Sequence, residues 1–303
     1  MALEYLSRLM SMAKKSGGPR KMAVAAAAEQ VCLESVVVAR EEELVEPVLY
    51  GDKEVITGIL NDLGQDPGSF RIKHFADDIE ATEKAVEGVA RGETSMIMKG
   101  LVQTGDLFHA YFDKRWNLRL PGRPLSHIGL FEVPGYRRLF SMSDAALNIE
   151  PDEDRLLEIA RNSIGFMHRL GWKCPKVALL AATSKVNKRQ PVTMRVSNVI
   201  NRGAKEIPDA TWFGPLALDE AISPRAAAIK GVAGPIAGDA DVLIVPSLEV
   251  GNVLYKTLTA FANAKVVGAV VGGRAPVVLT SRADSEEAKL GTVALSCLLV
   301  DEE

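Results

Sequence analysis

Short apolar runs alternate along the chain with segments in which apolar residues recur every three or four positions. The runs predict buried β-strands, and the helical spacing predicts amphipathic α-helices. This alternation predicts an α/β fold with mostly parallel sheets and helices on both faces. The predicted strands are 22–27, 46–50, 71–74, 95–98, 127–133, 139–142, 176–180, 211–213, 241–245, 266–271 and 276–280. The clearest predicted helices are 80–91, 104–112, 153–170 and 253–264.

Two breaks in the pattern predict how the chain divides into domains. The segment 148–152 contains a proline and precedes a long predicted helix, and two glycines at 272–273 separate two apolar strands. We therefore predict a discontinuous first α/β domain of residues 1–149 plus 275–303. A second α/β domain of residues 150–274 is inserted into it, with an active-site cleft between the two.

Composition narrows the class of protein. The chain has 303 residues, of which 47% are hydrophobic and 25% charged, and its net charge is −3. These values are typical of a soluble globular protein and do not favour a nucleic-acid or membrane-surface partner. No stretch has the roughly 20 apolar residues that a membrane span needs. The basic and apolar N-terminal segment resembles a signal peptide only loosely, so we predict a cytoplasmic protein.

The cysteines and histidines do not predict a metal site. Cys32, Cys174 and Cys297 have neither metal-ligand spacing nor the pattern of a disulfide framework, and we interpret all three as buried free thiols. None of the four histidines pairs with another histidine or a cysteine at metal-binding spacing. His109 lies in a predicted helix and His127 near the start of a predicted strand. Taken singly, each is more often structural than catalytic.

One strand end combines several groups that could bind an anion. PVVLTSRADSEE (276–287) passes from an apolar strand to Ser281 and Arg282, and Asp284 with Glu287 then fits a helix capping box. The first amides of a helix attract anions, and a guanidinium forms paired hydrogen bonds with phosphate or carboxylate. A plain helix cap with a solvated arginine is the competing interpretation.

Two further strand ends repeat this arrangement. SMIMKGLVQTGDL (95–107) places Lys99 and Gly100 at a strand tip and predicts that Thr104 or Asp106 begins a helix. ADVLIVPSLEVGNVLYK (240–256) predicts a loop, Asn252 as a helix N-cap, and a helix that carries Lys256. Such tips are where parallel sheets bind ligands. Capping and solvated lysines remain the commoner roles of these residue types.

Several well-known nucleotide and hydrolase motifs are absent. The sequence has no G-x-G-x-x-G after a strand, no phosphate-binding G-x-x-x-x-G-K-[ST] and no G-x-S-x-G. It also lacks the grouped aspartates that a metal-dependent decarboxylating dehydrogenase would need. A dehydrogenase of the same fold is therefore a weak alternative.

Six motifs taken together resemble the phosphate acetyltransferase/phosphate butyryltransferase family, and they are closer to its butyryltransferase branch. The resemblance covers most of the chain, roughly residues 20–300. The motifs are MKGLVQT, LSHIGLFEVPGY, SMSDAALNI, FGPLALDEAIS, ADVLIVPSLEVGNVLYK and APVVLTSRADSEEAKL.

The resemblance implies a fold and a reaction. The fold would be a two-domain α/β fold similar to isocitrate and isopropylmalate dehydrogenases. The reaction would convert a short-chain acyl-CoA and phosphate reversibly to acyl phosphate and free coenzyme A. Coenzyme A would be a substrate or product, with no bound metal or redox cofactor. A homodimer or higher homo-oligomer is implied, with no nucleic-acid or membrane partner.

The resemblance also implies residue roles. Ser281 and Arg282 match the family's Ser-Arg pair, which is thought to contact the thioester and the phosphate. No histidine near Ser281 in the sequence would activate it, so we expect phosphate to attack the thioester directly, without an acyl-enzyme. The predicted substrate-binding residues are Lys99, Gly100, Thr104, His109, His127, Asn252, Lys256 and Asp284.

The sequence departs from the family's pattern at four places, and the first three of them, at residues 109, 213 and 288, leave a second function open. His109 stands where acetyltransferases often have arginine, Phe213 replaces an aspartate, and Ala288 replaces an acidic residue. The segment 184–195 is basic where acidic residues are expected at two points. The alternative function is a catalytically weakened protein that binds acyl-CoA or acyl phosphate.

Overall fold

The computed structural model describes residues 2–280 and 284–300. The strands are β1 Arg20–Ala25, β2 Val45–Gly51, β3 Arg71–His74, β4 Met96–Lys99, β5 Ser126–Glu132, β6 Phe140–Ser143, β7 Lys176–Leu180, β8 Thr211–Leu216, β9 Val242–Ile244, β10 Lys265–Val271 and β11 Val277–Val278. The α-helices are α1 Leu9–Lys15, α2 Gln30–Glu41, α3 Lys53–Asp62, α4 Asp78–Ala90, α5 Thr104–Phe112, α6 Glu153–Arg169, α7 Pro191–Glu206, α8 Leu218–Ile222, α9 Pro224–Ile229, α10 Leu248–Phe261 and α11 Glu286–Leu299. Short 3-10 helices cover Leu6–Arg8, Pro67–Ser69 and Lys114–Trp116.

The chain divides into two compact units. The central unit comprises Met1–Leu6 and Arg123–Val266, and the terminal unit comprises Ser7–Gly122 and Val267–Glu303. These boundaries differ from the predicted ones, which were placed after residues 149 and 274. The predicted break at 148–152 is a loop inside the central unit. The strand β6 before this loop pairs with β9, so β6 stays in the same unit as the helix that follows the loop.

The terminal unit contains a mostly parallel sheet with the strand order β3-β2-β1-β4-β11-β10. All neighbours in it are parallel except β10 and β11, which are antiparallel. Met22, Val24 and Met98 are fully buried, as expected for central strands covered on both faces. This double burial explains why β1 and β4 appear in the sequence as continuous apolar runs.

The central unit contains a second run of strands in the order β5-β6-β9-β7-β8. The strands β6, β9, β7 and β8 are parallel, and β5 is antiparallel to β6. The start of β5 therefore lies at the edge where the parallel strands end. Phe131 stacks on Phe140 at 5.4 Å between ring centroids and meets the edge of Tyr255 at 5.3 Å. This aromatic group packs α10 onto the sheet.

The predicted fold class is confirmed, because both units are α/β and mostly parallel. The strand predicted at 276–280 is shorter than expected and covers only Val277–Val278. The helix predicted at 253–264 begins at Leu248, five residues earlier than expected.

Two of the three cysteines are buried, as predicted, and one is not. Burial raises the pKa of both the Cys32 and the Cys297 thiols to about 12, so both stay protonated and unreactive near neutral pH. The prediction is wrong for Cys174, which is exposed. Cys174 precedes β7 in a surface turn, where an apolar neighbourhood in the sequence does not ensure burial.

Candidate active site

The tip of β4 in the terminal unit is built by close backbone approach. The backbone N–H of Gly100 donates to the carbonyl of Ala25 at 2.8 Å, and that of Leu101 donates to Ala26 at 2.8 Å. A Cβ atom at Gly100 would clash with both of these carbonyl oxygens. Glycine is therefore required at this position by the packing of the loop against β1.

The Lys99 ammonium group stabilises this loop through hydrogen bonds. Its Nζ donates to the carbonyl oxygens of Gly100 at 3.1 Å and Val102 at 3.0 Å. Two of the three ammonium donors are thereby used to hold the tip of β4. Binding of an anionic substrate by Lys99 stays a prediction, and it would use the third donor or require the loop bonds to exchange.

The predicted residues on α5 do not share one face of the helix. Thr104 begins α5, as one of the two predicted starts, and it is exposed like His109. The two residues are five positions apart, which places them roughly 140° apart around the helix axis. A single ligand group therefore does not contact both side chains from one side of α5.

The predicted cap of the last helix is wrong by one residue. The N-cap of α11 is Ser285, whose Oγ accepts a hydrogen bond from the backbone N–H of Ala288 at 3.2 Å. Asp284 lies one residue before this cap and is half-buried. The predicted catalytic pair, Ser281 and Arg282, lies outside the described residues, so its assignment stays a prediction.

In the central unit, the pairing of β5 with β6 brings His127 to Asp144. Gly129 pairs with Met142, so residue 127 lies opposite residue 144 at the edge where the parallel strands end. The backbone N–H of His127 donates to Asp144 Oδ2 at 3.3 Å. Asp144 is buried and follows β6 directly.

The Asp144 carboxylate organises the loop that follows it. Its Oδ1 accepts from the backbone N–H groups of Ala146 at 2.8 Å and Leu147 at 3.1 Å. Its Oδ2 accepts from the side-chain amide of Asn148, whose nitrogen also donates to the Leu125 carbonyl. We did not assign a role to Asp144 from the sequence. The signal was present, because an aspartate that starts a turn often accepts from backbone N–H groups two or three residues later.

The side chain of His127 is half-buried at the start of β5. Nδ1 is buried and has no hydrogen-bond partner among the described residues. The ring lies 6.0 Å from the ring of Tyr255, between centroids. Burial lowers the pKa of His127 below its ordinary value of 6.5, although the charge of Asp144 acts in the opposite direction. An unpaired buried N–H costs more than an unpaired lone pair, so we assign the proton of the neutral ring to Nε2.

We expect His127 to make the protein less stable as the pH falls. Because its pKa is lowered on folding, the unfolded chain takes up a proton near pH 6.5 and the folded chain takes it up only at a lower pH. This difference lowers the free energy of unfolding by up to about 1.4 kcal/mol per pH unit. The variant H127Q should lack this contribution. Urea unfolding of both proteins at pH 5, 6 and 7 measures it, and parallel pH slopes would contradict the expectation.

Asn252 and Lys256 both lie on α10; the helical position of Lys256 was predicted, but the position of Asn252 was not. The N-cap is Ser247, and Asn252 lies inside the helix, so its predicted capping role is wrong. Asn252 Nδ2 instead donates to the carbonyl of Ala145 at 3.3 Å. A Cβ atom at Gly251 would clash with the carbonyl oxygen of Asp144. Glycine and asparagine look like a loop in the sequence, but here they allow α10 to pack closely on the Asp144 loop.

Lys256 lies one helical turn after Asn252 and is exposed. Residues four apart share a face of a helix, so the amide and the ammonium group form one polar strip. This strip is the part of the central unit that brings predicted substrate-binding side chains together.

A cavity of about 850 Å³ lies next to this strip and was not predicted. It lies at the carboxyl ends of β7, β9 and β8, where Leu180, Pro246 and Leu218 line it. Val253 and Leu254 of α10 complete its apolar wall. No local sequence pattern indicates it, because its lining comes from four separate segments of the chain.

Metal-binding clusters and membrane-spanning helices are both absent from the described part of the chain. Within 2–280 and 284–300, no group of three or more histidine, cysteine, aspartate or glutamate residues is arranged to hold a metal ion. No helix in the same ranges is both long and apolar enough to cross a membrane.

Comparison with known proteins identifies the family. The chain matches the family model described as "Phosphate acetyl/butaryl transferase" over residues 72–297. The fold and this match define the chain as a transferase. It belongs to the phosphate acetyl/butyryl transferase family, and the resemblance found in the sequence is confirmed.

The individual relatives cover nearly the whole chain. The phosphate acetyltransferase of Thermotoga maritima is 38% identical over 297 residues, which are 97% of this chain and 99% of the relative. The phosphate butyryltransferase of Clostridium acetobutylicum is 39% identical over 291 residues, 95% of this chain and 96% of the relative. The crystal structure of a branched-chain phosphotransacylase from Enterococcus faecalis V583 has a TM-score of 0.82 and 34% identity. It covers 94% of this chain and 100% of its own. The relatives' names state different acyl groups, so similarity alone does not assign one.

Proposed function

We propose that the chain is a phosphate acyltransferase that acts on a short-chain acyl-CoA. It would convert acyl-CoA and phosphate to acyl phosphate and free coenzyme A, and would catalyse the reverse reaction. The observation that carries the proposal is the family match over residues 72–297. Coenzyme A is then a substrate or product, and no further cofactor is needed for the transfer.

The proposed mechanism is direct attack within a complex of both substrates. A phosphate oxygen forms a bond with the thioester carbon, the carbon–sulfur bond breaks, and the coenzyme A thiolate leaves. Phosphate is already partly dianionic near neutral pH, so its attack needs little base catalysis. Positioning two anionic substrates and stabilising the developing oxyanion supply most of the acceleration.

Ser281 and Arg282 are assigned to this mechanism by their match to the family's Ser-Arg pair. Arg282 would form paired hydrogen bonds with phosphate, and the Ser281 hydroxyl would stabilise charge on the thioester oxygen. Because phosphate attacks directly, Ser281 carries no acyl group. Mass spectrometry of the enzyme during turnover tests this point, since an acylated Ser281 would contradict direct attack.

The central unit is proposed to supply neutral and cationic donors. His127 would present its Nε2–H as an uncharged hydrogen-bond donor, which fits its lowered pKa and its buried Nδ1. The polar strip of α10 would add the amide donor of Asn252 and the cationic donor of Lys256. Gly100, Thr104, His109 and Asp284 are kept as proposed substrate-binding residues of the terminal unit.

Phosphate-dependent release of coenzyme A thiol tests the function. We expect release from acetyl-, propionyl- and butyryl-CoA only when phosphate is present, with acyl phosphate as the second product. The same mixtures without phosphate are the control for thioester hydrolysis. Calorimetric binding of coenzyme A in parallel shows whether an inactive protein is folded and able to bind.

An inactive protein that still binds coenzyme A would support the alternative function, a weakened binding protein. Phe213 offers least support for that alternative. Its ring packs against Gly234, where a Cβ atom would clash with it, and it lies against the core of the central unit. Phe213 is therefore a packing residue in this structure. A homodimer or higher homo-oligomer stays a prediction.

A further inference from the structure

The cavity beside α10 has a mostly aliphatic lining, which suits a hydrocarbon ligand. Nine of its thirteen lining residues are aliphatic or proline, so its surface offers few hydrogen-bonding groups to a ligand. Val250 and Val253, which line it from α10, are 43% and 64% exposed. Large apolar side chains exposed together in a concave surface indicate a ligand or a partner.

Two of the four polar lining side chains already have partners within the protein. The Thr193 hydroxyl accepts from the backbone N–H of Asn187 at 2.9 Å and donates to the Gln190 carbonyl at 2.8 Å. The Thr257 hydroxyl donates to the Val253 carbonyl at 2.7 Å. Their hydrogen-bonding capacity is therefore largely used within the protein. The other two polar lining residues are Gln190 and Glu249, and both are exposed.

The shortage of hydrogen-bonding groups in the lining determines which part of an acyl-CoA can bind in the cavity. The pantetheine arm carries two amides and a hydroxyl, and adenine carries several hydrogen-bonding nitrogens. Burying such groups against aliphatic walls without partners is unfavourable. A saturated acyl chain has no such requirement and gains free energy with each methylene removed from water.

By helical spacing, Lys256 of the proposed substrate-binding strip lies beside residues of α10 that line the cavity. Lys256 lies seven residues after Glu249 and three after Val253, and both of these residues line the cavity. Residues at these spacings occupy neighbouring positions on one side of a helix. A ligand whose polar end contacts Lys256 can therefore extend its apolar end into the cavity.

We propose that this cavity is the acyl-chain site of the enzyme and that it takes aliphatic chains longer than butyryl. The inference rests on the proposed phosphate acyltransferase function and extends its substrate range. Acetyl and butyryl groups are small against a volume of about 850 Å³ and contact little of its wall. Straight or branched chains of about six to eight carbons would fill more of it, and each buried methylene would add affinity.

Chain-length profiles test the proposal. We expect kcat/KM with saturating phosphate to rise from butyryl- through hexanoyl- to octanoyl-CoA, by up to about fourfold per methylene. The variant V253W should narrow the cavity and lower the octanoyl-to-butyryl ratio at least about tenfold. The matched control is V55W on α3 in the terminal unit, where the wild-type valine is 47% exposed and does not line this cavity. V55W should keep the wild-type ratio.

Two outcomes would overturn the proposal. One is a V253W enzyme with the wild-type ratio, confirmed with V250W as a second narrowing variant. The other is a V253W enzyme whose subunit number, measured by light scattering, differs from that of wild type while its octanoyl-to-butyryl ratio does not. This result would assign the cavity to contact with a second copy of the chain.

Binding separates failure of this inference from failure of the proposed function. Calorimetry with octanoyl-CoA and acetyl-CoA requires no turnover. Tighter binding of octanoyl-CoA that is lost in V253W, without any thiol release, would reject the acyltransferase and keep the chain site. Thiol release with equal binding of both thioesters would keep the acyltransferase and reject the chain site.

Discussion

The variant R282A is expected to lose at least about 100-fold in kcat/KM, the scale of removing one donor that stabilises transition-state charge. Arg282 matches the arginine of the family's Ser-Arg pair, and its proposed role is to hold phosphate while the phosphate oxygen attacks. A guanidinium offers two parallel hydrogen bonds to phosphate, which both neutralise charge and fix its orientation. Alanine removes both effects. Steady-state thiol release across a range of phosphate concentrations measures the loss.

The conservative variant and a distant control sharpen this test. R282K keeps the charge but loses the paired geometry, so its kcat/KM should lie between those of wild type and R282A. R91A replaces an arginine whose side chain is 64% exposed and pairs with Glu87 on α4, and it should keep wild-type activity. Wild-type kinetics for R282A would remove Arg282 from the mechanism and leave phosphate to the lysines and backbone amides.

Much of the fold could be predicted because the parallel strands are buried on both faces. The runs around Met22 and Met98 are continuous apolar segments bounded by polar residues, which makes their positions clear. The start of α10 was predicted late because Gly251 and Asn252 disfavour helices by propensity. Their helical conformation is supported by contact with the Asp144 loop, which is distant in sequence.

The candidate site was predicted less completely for a related reason. Strand ends mark where ligands bind, and this rule directed attention to Lys99 and to α10, whose substrate binding stays a prediction. It did not show that Lys99 Nζ donates to loop carbonyls, or that β5 brings His127 to Asp144 by antiparallel pairing. Contacts of this kind depend on register and on side-chain reach, and neither has a local pattern in the sequence.

The variant D144A is expected to lower the free energy of unfolding by about 3 kcal/mol or more, since each buried donor left without an acceptor costs roughly 1–3 kcal/mol. The carboxylate accepts from the N–H groups of Ala146, Leu147 and His127 and from the amide of Asn148. Asp144 and Asn148 are both buried, so water does not readily replace the acceptor that the Asn148 amide loses. Urea unfolding of wild type and variant measures the difference.

Two further variants separate this network from an ordinary cap. D144N keeps one oxygen for Ala146 and Leu147 but places an amide donor against the amide of Asn148, so it should lose less stability than D144A. D152A removes the N-cap of α6, where one side-chain oxygen accepts from Arg155 N at 2.8 Å, and should cost about 1 kcal/mol. A loss at Asp144 no larger than at Asp152 would show that the loop is held by its packing alone.

The same variants connect stability to function. The Asp144 loop supports α10 through Gly251 and Asn252, and α10 carries both the polar strip and one wall of the cavity. If D144N remains folded, its KM for acyl-CoA should rise. The weakened Asp144 loop would no longer hold α10, and with it the strip and the cavity wall, in the wild-type position. An unchanged KM in a destabilised D144N protein would mean that α10 keeps its position without the carboxylate, and that Asp144 serves stability only.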